Sequence, residues 1–225
     1  MRVVVFGATG MVGQGVLREC LLAEDVESVL VVGRTATGVR HEKLREVLHR
    51  DFTDFSALAG DGTGPAGSAV LAGLDACFFC LGVSSVGLDE AAYTRITYDV
   101  TLAAARVLAA TNPRLTFVYV SGAGTDSTGQ GRSMWARVKG RTENAVLELF
   151  PNGYAVRPGV ILPLHGVRSK TWWYRAAYAV ATPLYPVLRR LAPRAVTTSE
   201  QLGRTMLRLA REGSPTRVLG GADLT

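Results

Sequence analysis

The sequence is poor in cysteine, and its few cysteines are badly spaced for a metal site or a disulfide. Three cysteines occur among 225 residues, at positions 20, 77 and 80. Cys77 and Cys80 have a C-x-x-C spacing, but they fall in an apolar run that predicts a β-strand. Residues three apart in a strand face opposite sides of the sheet. We therefore expect the thiols to be small core side chains and expect no metal site.

Long charge-free segments are also missing. The longest one in the C-terminal part covers residues 176–188 and contains Pro183 and Pro186. A helix needs about 20 apolar residues to cross a bilayer, so this segment is too short. The first predicted strand follows Met1 directly, and no signal peptide fits before it. We expect a cytoplasmic protein without an integral membrane segment.

Basic residues are in excess, but they form no pattern typical of nucleic-acid binding. The formal net charge is +6, from 25 basic and 19 acidic residues. This excess favours anionic ligands in general. No basic stripe with interleaved aromatic residues stands out before residue 165, so nucleic acid is not an expected partner. The length and the 48% hydrophobic content suit one domain over residues 1–225.

A glycine-rich turn near the amino terminus is the strongest functional signal. Residues 3–6 predict a buried strand, residues 11–23 predict an amphipathic helix, and Gly7, Gly10 and Gly13 lie between or within them. The spacing G-x-x-G-x-x-G lets a pyrophosphate approach the backbone at the N-terminus of the helix, where N–H groups favour anions. We predict a dinucleotide-binding loop made of Gly7, Thr9, Gly10, Met11, Val12 and Gly13.

The residue after the second predicted strand indicates which dinucleotide binds. Residues 28–32 are apolar without alternation, which is typical of a strand buried on both faces of a parallel sheet. The next positions are Gly33 and Arg34. An acidic residue at this point would bind the ribose 2′-OH of NAD, whereas a guanidinium can clamp the 2′-phosphate of NADP. We expect NADP rather than NAD, with a solvated surface arginine as the alternative.

Two further strand ends carry candidate cofactor contacts. Asp51 and Phe52 close a predicted third strand over residues 46–52. The Asp51 carboxylate can accept the adenine amino group, with a turn-forming role as the alternative. Leu81 and Gly82 follow a fourth strand, and Gly82 allows the backbone to lie close to a ribose or phosphate.

The rest of the chain continues the alternation of strands and helices. Ser121 ends a fifth strand, the edge where open α/β sheets bind ligands. Lys139 lies on the following helix, and the sixth strand turns at Pro158 and Gly159. We predict an α/β fold, a doubly wound parallel sheet with strand order 3-2-1-4-5-6 and a possible edge strand near the C-terminus. The remaining predicted elements are a helix over 89–110, a helix over 134–150, a sixth strand over 154–161, a helix over 200–212 and a last strand over 217–220.

Residues 162–198 depart from this alternation. Aromatic and basic side chains are dense between positions 168 and 194. This segment suggests a lid over a small-molecule substrate, a dimer surface or a peripheral membrane contact. Pro183 and Pro186 prevent a single long helix, which weakens the membrane interpretation. The chain is expected to be a monomer or a homodimer.

These motifs together resemble the short-chain dehydrogenase/reductase superfamily, in particular its atypical and extended branches of NAD(P)-binding, epimerase/dehydratase-like proteins. The resemblance covers roughly residues 1–162. It implies a Rossmann fold and a cofactor that touches Arg34 with its 2′-phosphate and Asp51 with its adenine. It further implies a ribose at residues 80–82 and a turn after the sixth strand at residues 157–161.

One departure from the family limits the prediction of activity. The family's acid/base pair is Tyr-x-x-x-Lys on one helix, and the matching positions here are Trp135 and Lys139. An indole N–H donates a hydrogen bond but does not give up its proton usefully, so Trp135 can only orient or stack. The resemblance assigns the nicotinamide ribose to Lys139 and a carbonyl contact to Ser121. The acid is then water, His165 or Lys139 itself.

Two functions follow from these residues. One is an NADP-dependent oxidoreductase that acts on a small carbonyl compound with a non-standard acid/base group. The other is a catalytically silent NADP(H)-binding sensor or regulatory module. The missing tyrosine is the feature that separates them.

Overall fold

A computed structural model describes residues 1–60, 70–164 and 196–224. Most strands of the main sheet are apolar on both faces, which is why their sequences show no alternation. The strands are β1 (Arg2–Phe6), β2 (Ser28–Gly33), β3 (Leu44–Leu48), β4 (Ala76–Phe79), β5 (Thr116–Val120), β6 (Gly153–Arg157), β7 (Val160–Leu162), β8 (Val196–Thr198) and β9 (Val218–Gly220). The helices are α1 (Met11–Leu22), α2 (Ser56–Ala59), α3 (Glu90–Thr94), α4 (Val100–Thr111), α5 (Met134–Leu149) and α6 (Ser199–Glu212).

Seven parallel strands form the main sheet, in the order β3-β2-β1-β4-β5-β6-β9. The predicted fold class and strand order are confirmed, and the predicted C-terminal edge strand is β9. Two apolar cores cover the sheet. One packs α1 and α6 against one face, and the other packs α4 and α5 against the opposite face. This arrangement leaves the carboxyl ends of the strands free to form a site.

The cysteines lie on opposite sides of the sheet, as predicted. Cys77 is in the core that holds α4, and Cys80 packs against the core that holds α1. Burial raises the pKa of both thiols well above its usual range. Within the described residues, no group of three or more His, Cys, Asp or Glu side chains can hold a metal ion. Likewise, no helix in the described ranges is long and apolar enough to span a bilayer.

Three predicted elements differ from the structure, each for a local reason. The third strand ends at Leu48, because Asp51 turns the chain by accepting hydrogen bonds from the Thr53 N–H and hydroxyl at 2.9 and 2.6 Å. The predicted helix over 89–110 contains a π-helical turn at Arg95–Asp99. The predicted strand over 154–161 breaks at Pro158, which has no N–H to donate to a ladder.

A small second sheet was not predicted. Strands β7 and β8 pair in parallel, with Val160 opposite Val196 and Leu162 opposite Thr198. Its position next to β6 places Val160 and Ile161 at the carboxyl edge of the main sheet. The predicted His165 and the aromatic-basic segment 168–194 lie outside the described residues, as does most of the predicted lid segment 162–198.

Candidate functional site

A cleft of about 810 Å³ runs along the carboxyl ends of the central strands. The residues that line it come from the glycine turn, from the exits of β4, β5 and β6, and from one face of α5. Nine of the predicted site residues are among them: Gly10, Met11, Val12, Leu81, Gly82, Ser121, Lys139, Pro158 and Gly159. The topology therefore brings residues far apart in sequence to one edge of the sheet.

The glycine turn is close-packed backbone. Gly7 has a positive φ of 79°, and a Cβ there would lie 2.7 Å from the Cys80 carbonyl carbon. A Cβ on Gly13 would lie 2.1 Å from the Gly7 carbonyl oxygen. The Gly10 N–H donates to that same oxygen at 2.9 Å. Gly7 and Gly13 thus build the turn behind the cleft rather than lining it.

The N-terminus of α1 opens into this cleft. Its N-cap is Gly10, which offers no side-chain hydrogen bond, and the first turn has no acidic residue. Met11 and Val12 of that first turn line the cleft. Uncapped N–H groups and the positive end of the helix dipole favour a phosphate at such a position. Thr9 is not a lining residue; its carbonyl oxygen accepts a hydrogen bond from the Gln14 side chain at 3.1 Å.

Three predicted adenosine contacts lie outside the cleft lining. Arg34 is exposed immediately after β2, and within the described part of the chain its side chain makes no hydrogen bond or ion pair. Asp51 is exposed, and its carboxylate is engaged by Thr53, which lowers the pKa of Asp51. Phe52 packs its ring at 80° to Phe55, with a centroid distance of 5.4 Å.

Ser121 and Lys139 meet at the carboxyl end of β5. The Lys139 Nζ donates a hydrogen bond to the Ser121 carbonyl oxygen at 2.7 Å. The buried Ser121 hydroxyl contacts the Glu143 carboxylate and lies 3.2 Å from the Val156 carbonyl oxygen. Burial lowers the pKa of Lys139 to about 8, against an opposing effect of the negative Glu143.

Helix α5 lies close to the loop after β5, and this places Lys139 beside the sheet. Gly140 makes the approach possible, because a Cβ at this position would lie 1.7 Å from the Asp126 carbonyl oxygen. The Asp126 N–H donates to the Ala136 carbonyl oxygen at 3.1 Å. A glycine directly after Lys139 therefore sets how deeply the lysine reaches into the cleft.

Glu143 and Arg157 form the part of the site that was not predicted as functional. Glu143 lies one helical turn after Lys139 and its side chain is 0% exposed. The Arg157 Nε donates to its Oε1 at 2.9 Å, and the Arg157 Nη2 donates to its Oε2 at 2.5 Å. The four-residue spacing of Lys139 and Glu143 was a usable signal, because it places both on one helix face.

Trp135 lies apart from these groups. It is half-buried in the first turn of α5 and is not a lining residue of the cleft. A Cβ on Gly124 would lie 3.5 Å from the Trp135 Cη2, so the indole packs over the loop after β5. The position that carries the family's tyrosine therefore holds a packing side chain here.

No model of a protein family matches this sequence. One relative is protein FMP52, mitochondrial, from Meyerozyma guilliermondii, which is 27% identical over 168 residues. The match covers 72% of this chain and 66% of FMP52, so the chain spans just under two thirds of that protein's length.

Solved structures share the fold over nearly the whole chain. The Bordetella bronchiseptica enzyme WbmF, solved with NAD⁺, superposes with a TM-score of 0.66 at 19% identity and covers 99% of this chain and 76% of its own. A short-chain dehydrogenase/reductase family oxidoreductase from Burkholderia thailandensis gives a TM-score of 0.67 at 17% identity, covering 99% and 92%. One of these neighbours is an enzyme solved with NAD⁺ and the other is an oxidoreductase of the short-chain dehydrogenase/reductase family, and the resemblance predicted from the sequence is confirmed at the level of the fold.

Proposed function

We propose that this chain is an NAD(P)-dependent oxidoreductase of the atypical short-chain dehydrogenase/reductase type, which acts on a small carbonyl compound and prefers NADP. The observation that carries the proposal is the uncapped N-terminus of α1, which opens into the same cleft as Ser121 and Lys139. A helix N-terminus suited to phosphate and a buried polar pair that line one cleft suit a dinucleotide better than a mononucleotide.

The cleft has room for a cofactor backbone where the sequence predicts one. A Cβ on Gly82 or on Gly122 would meet nothing within 4 Å, and both glycines line the cleft. In this proposal the glycine turn holds the pyrophosphate, Leu81 and Gly82 face a ribose, and Lys139 binds the nicotinamide ribose. Pro158 and Gly159 close the nicotinamide end.

A bound nicotinamide would supply or accept the hydride, and the protein must supply or accept a proton. Trp135 has no proton of suitable acidity. Lys139 faces the cleft with a pKa lowered to about 8, so it exchanges a proton near neutral pH. Water and His165 are the other predicted proton sources.

Binding titrations test the cofactor assignment before any substrate is known. Purified protein is titrated separately with NADPH, NADP⁺, NADH and NAD⁺ by calorimetry. We expect micromolar binding for the NADP pair and weaker binding for the NAD pair. Failure of all four to bind would rule out the oxidoreductase and the binding module together.

The NADP preference rests on Arg34. Arg34→Ala is expected to weaken NADPH binding about tenfold, because one charge-assisted contact to a phosphate contributes about 1.5–3 kcal/mol before solvent screening. NADH affinity should stay within about twofold. Arg106→Ala, an exposed arginine on α4, is the control for loss of one positive charge. An equal loss for NADPH and NADH would contradict the assignment.

A second candidate function is a catalytically silent NADP(H)-binding module. Trp135 favours it, since the indole packs over Gly124 instead of facing the cleft. One assay distinguishes the two functions. The NADPH-loaded protein is mixed with a panel of aldehydes, ketones and quinones, and the NADPH absorbance is followed. Tight binding without oxidation across the panel favours the sensor.

The proposed location and assembly stay as the sequence predicts them. We propose a cytoplasmic protein, a monomer or a homodimer, with a small-molecule substrate and no nucleic-acid partner. FMP52 is named as mitochondrial, so localisation of a tagged full-length chain is the direct test.

A further inference from the structure

We propose that Glu143 is a positioning residue: it takes the hydrogen of the Ser121 hydroxyl, so that Ser121 faces the cleft as a hydrogen-bond acceptor and Lys139 is the donor that meets a substrate oxygen. The hydrogen-bond assignment stands on the contacts of the protein alone. Its consequence for a substrate rests on the proposed function.

The acceptors around the Ser121 hydroxyl decide where its hydrogen points. A serine hydroxyl has one hydrogen to donate and two lone pairs that accept. In the part of the chain that the structure describes, both oxygen atoms within reach of the Ser121 hydroxyl are acceptors: the Glu143 carboxylate and the Val156 carbonyl oxygen. The carboxylate is the stronger acceptor because it is charged. No hydrogen of the Ser121 hydroxyl is then left for a ligand in the cleft.

Glu143 cannot turn away from this contact. Its side chain is 0% exposed, and Arg157 holds its two oxygens from two different nitrogens at 2.9 and 2.5 Å. A two-point contact of this kind fixes the plane of the carboxylate as well as its position. Ser127 lies 3.5 Å from Oε2 and adds a further polar neighbour. The hydroxyl of Ser121 is thus held by a rigid partner.

The Lys139 ammonium has more hydrogens than its contact with Ser121 uses. An ammonium has three donors and no acceptor, and one of the three goes to the Ser121 carbonyl oxygen at 2.7 Å. Within the described residues, the titratable groups around this end of the cleft are Glu143 on the same helix, Arg157 at the end of β6 and Cys80 after β4. Burial raises the pKa of Cys80, so it carries no charge at neutral pH. Glu143 favours the charged form of Lys139.

This polarity selects a class of ligand. The atom opposite Ser121 must bring a hydrogen, as a hydroxyl or an amide N–H does. The atom opposite Lys139 must accept one, as a carbonyl oxygen does. A carbonyl compound with a neighbouring hydroxyl meets both demands, so we expect hydroxyacetone to be a better ligand of the cofactor-loaded protein than acetone.

Proton NMR of the free protein tests the hydrogen-bond assignment without any cofactor. A hydroxyl hydrogen bonded to a buried carboxylate exchanges slowly and resonates well downfield. We expect one such hydroxyl signal, absent in Ser121→Ala and shifted in Glu143→Gln. Glu19→Gln is the matched control, because Glu19 is another buried glutamate with arginine partners and lies away from the cleft. A spectrum without a signal that depends on both Ser121 and Glu143 overturns the proposal.

Chemical labelling of Lys139 gives a second measurement. The rate of acetylation by acetic anhydride, read by mass spectrometry, follows the unprotonated amine. We expect its midpoint near pH 8 in the wild-type protein. Glu143→Gln should lower this midpoint by about one pH unit, since the charge that favours the ammonium is removed. An unchanged midpoint in a folded Glu143→Gln protein would refute a positioning role toward Lys139.

The two failures are distinguishable. If NADPH does not bind but the Ser121 signal depends on Glu143, the proposed function is wrong and the hydrogen-bond assignment stands. If NADPH binds but the NADPH-loaded protein binds acetone as tightly as hydroxyacetone, the ligand class is wrong while the cofactor assignment stands. If Glu143→Gln fails to fold, Ser121→Ala in the wild-type background still decides whether the downfield signal comes from Ser121.

Discussion

Gly13→Ala is expected to destabilise the protein and to abolish nucleotide binding. The new Cβ would lie 2.1 Å from the Gly7 carbonyl oxygen, 2.6 Å from the Gly7 carbonyl carbon and 2.8 Å from the Ala8 Cα. All three are backbone atoms, so no side chain can rotate out of the way. Overpacking costs about 1–3 kcal/mol where neighbours can adjust, and we expect the upper end here. The adjustment must separate α1 from the turn that we propose to hold the phosphates.

Two glycines that line the cleft serve as controls. A Cβ on Gly10 would lie 3.3 Å from the Gly7 oxygen, which a small shift can relieve, so Gly10→Ala should cost less than Gly13→Ala. A Cβ on Gly82 would meet no protein atom within 4 Å but would enter the cleft. Gly82→Ala should leave stability unchanged and weaken NADPH binding.

Urea unfolding gives the stabilities and calorimetric titration gives the affinities. The expected order of stability is wild type and Gly82→Ala together, then Gly10→Ala, then Gly13→Ala. A Gly13→Ala protein that unfolds at the wild-type urea concentration would contradict the close packing of the turn. A Gly82→Ala protein with undiminished affinity would remove that part of the cleft from the proposed cofactor path.

The architecture could be predicted because its strands carry their own signal. β1, β2 and β4 are apolar on both faces, which only a strand covered by helices on both sides of a parallel sheet requires. The glycine spacing then predicted where the ligand edge lies, Ser121 followed from its place at the end of a strand, and Lys139 came from the family resemblance. These predictions depend on short segments of sequence, each of which can be interpreted separately.

Other features depend on contacts between distant segments. The third strand ends early because the Asp51 carboxylate turns the chain onto Thr53, and a strand pattern alone does not reveal that competition. The approach of Arg157 to Glu143 joins the end of β6 to the middle of α5. The four-residue spacing indicates that Lys139 and Glu143 share a helix face. It does not indicate that Arg157, at the end of β6, pairs with Glu143.

The buried pair also changes how the missing tyrosine is understood. With tyrosine absent, Ser121 is the natural next choice for a donor to a substrate oxygen. Its hydroxyl, however, faces a carboxylate inside the protein. Under the proposed function the donor role thus falls to Lys139, whose ammonium keeps hydrogens beyond the one that it donates to the Ser121 carbonyl oxygen.

Arg157→Met is expected to be the most destabilising change at the cleft. It leaves Glu143, with 0% of its side chain exposed, without its cation. Removing one partner of a buried ion pair costs about 3–5 kcal/mol, because the remaining charge stays desolvated. Glu143→Met should cost less, since the Arg157 side chain is 23% exposed and can reach water. Urea unfolding near neutral pH measures both.

The double variant shows whether the desolvated charge is the cause. Glu143→Met combined with Arg157→Met should be more stable than Arg157→Met alone, because the buried carboxylate that lost its guanidinium partner is no longer present. The Glu19–Arg204 pair is the matched control: Arg204 is 66% exposed, so Arg204→Met should cost less than about 1 kcal/mol. Additive losses at Glu143 and Arg157 would mean that each side chain stabilises the fold independently. The carboxylate would then need no cation to stay in place, and the rigid hold on Ser121 would have to come from the packing of α5 instead.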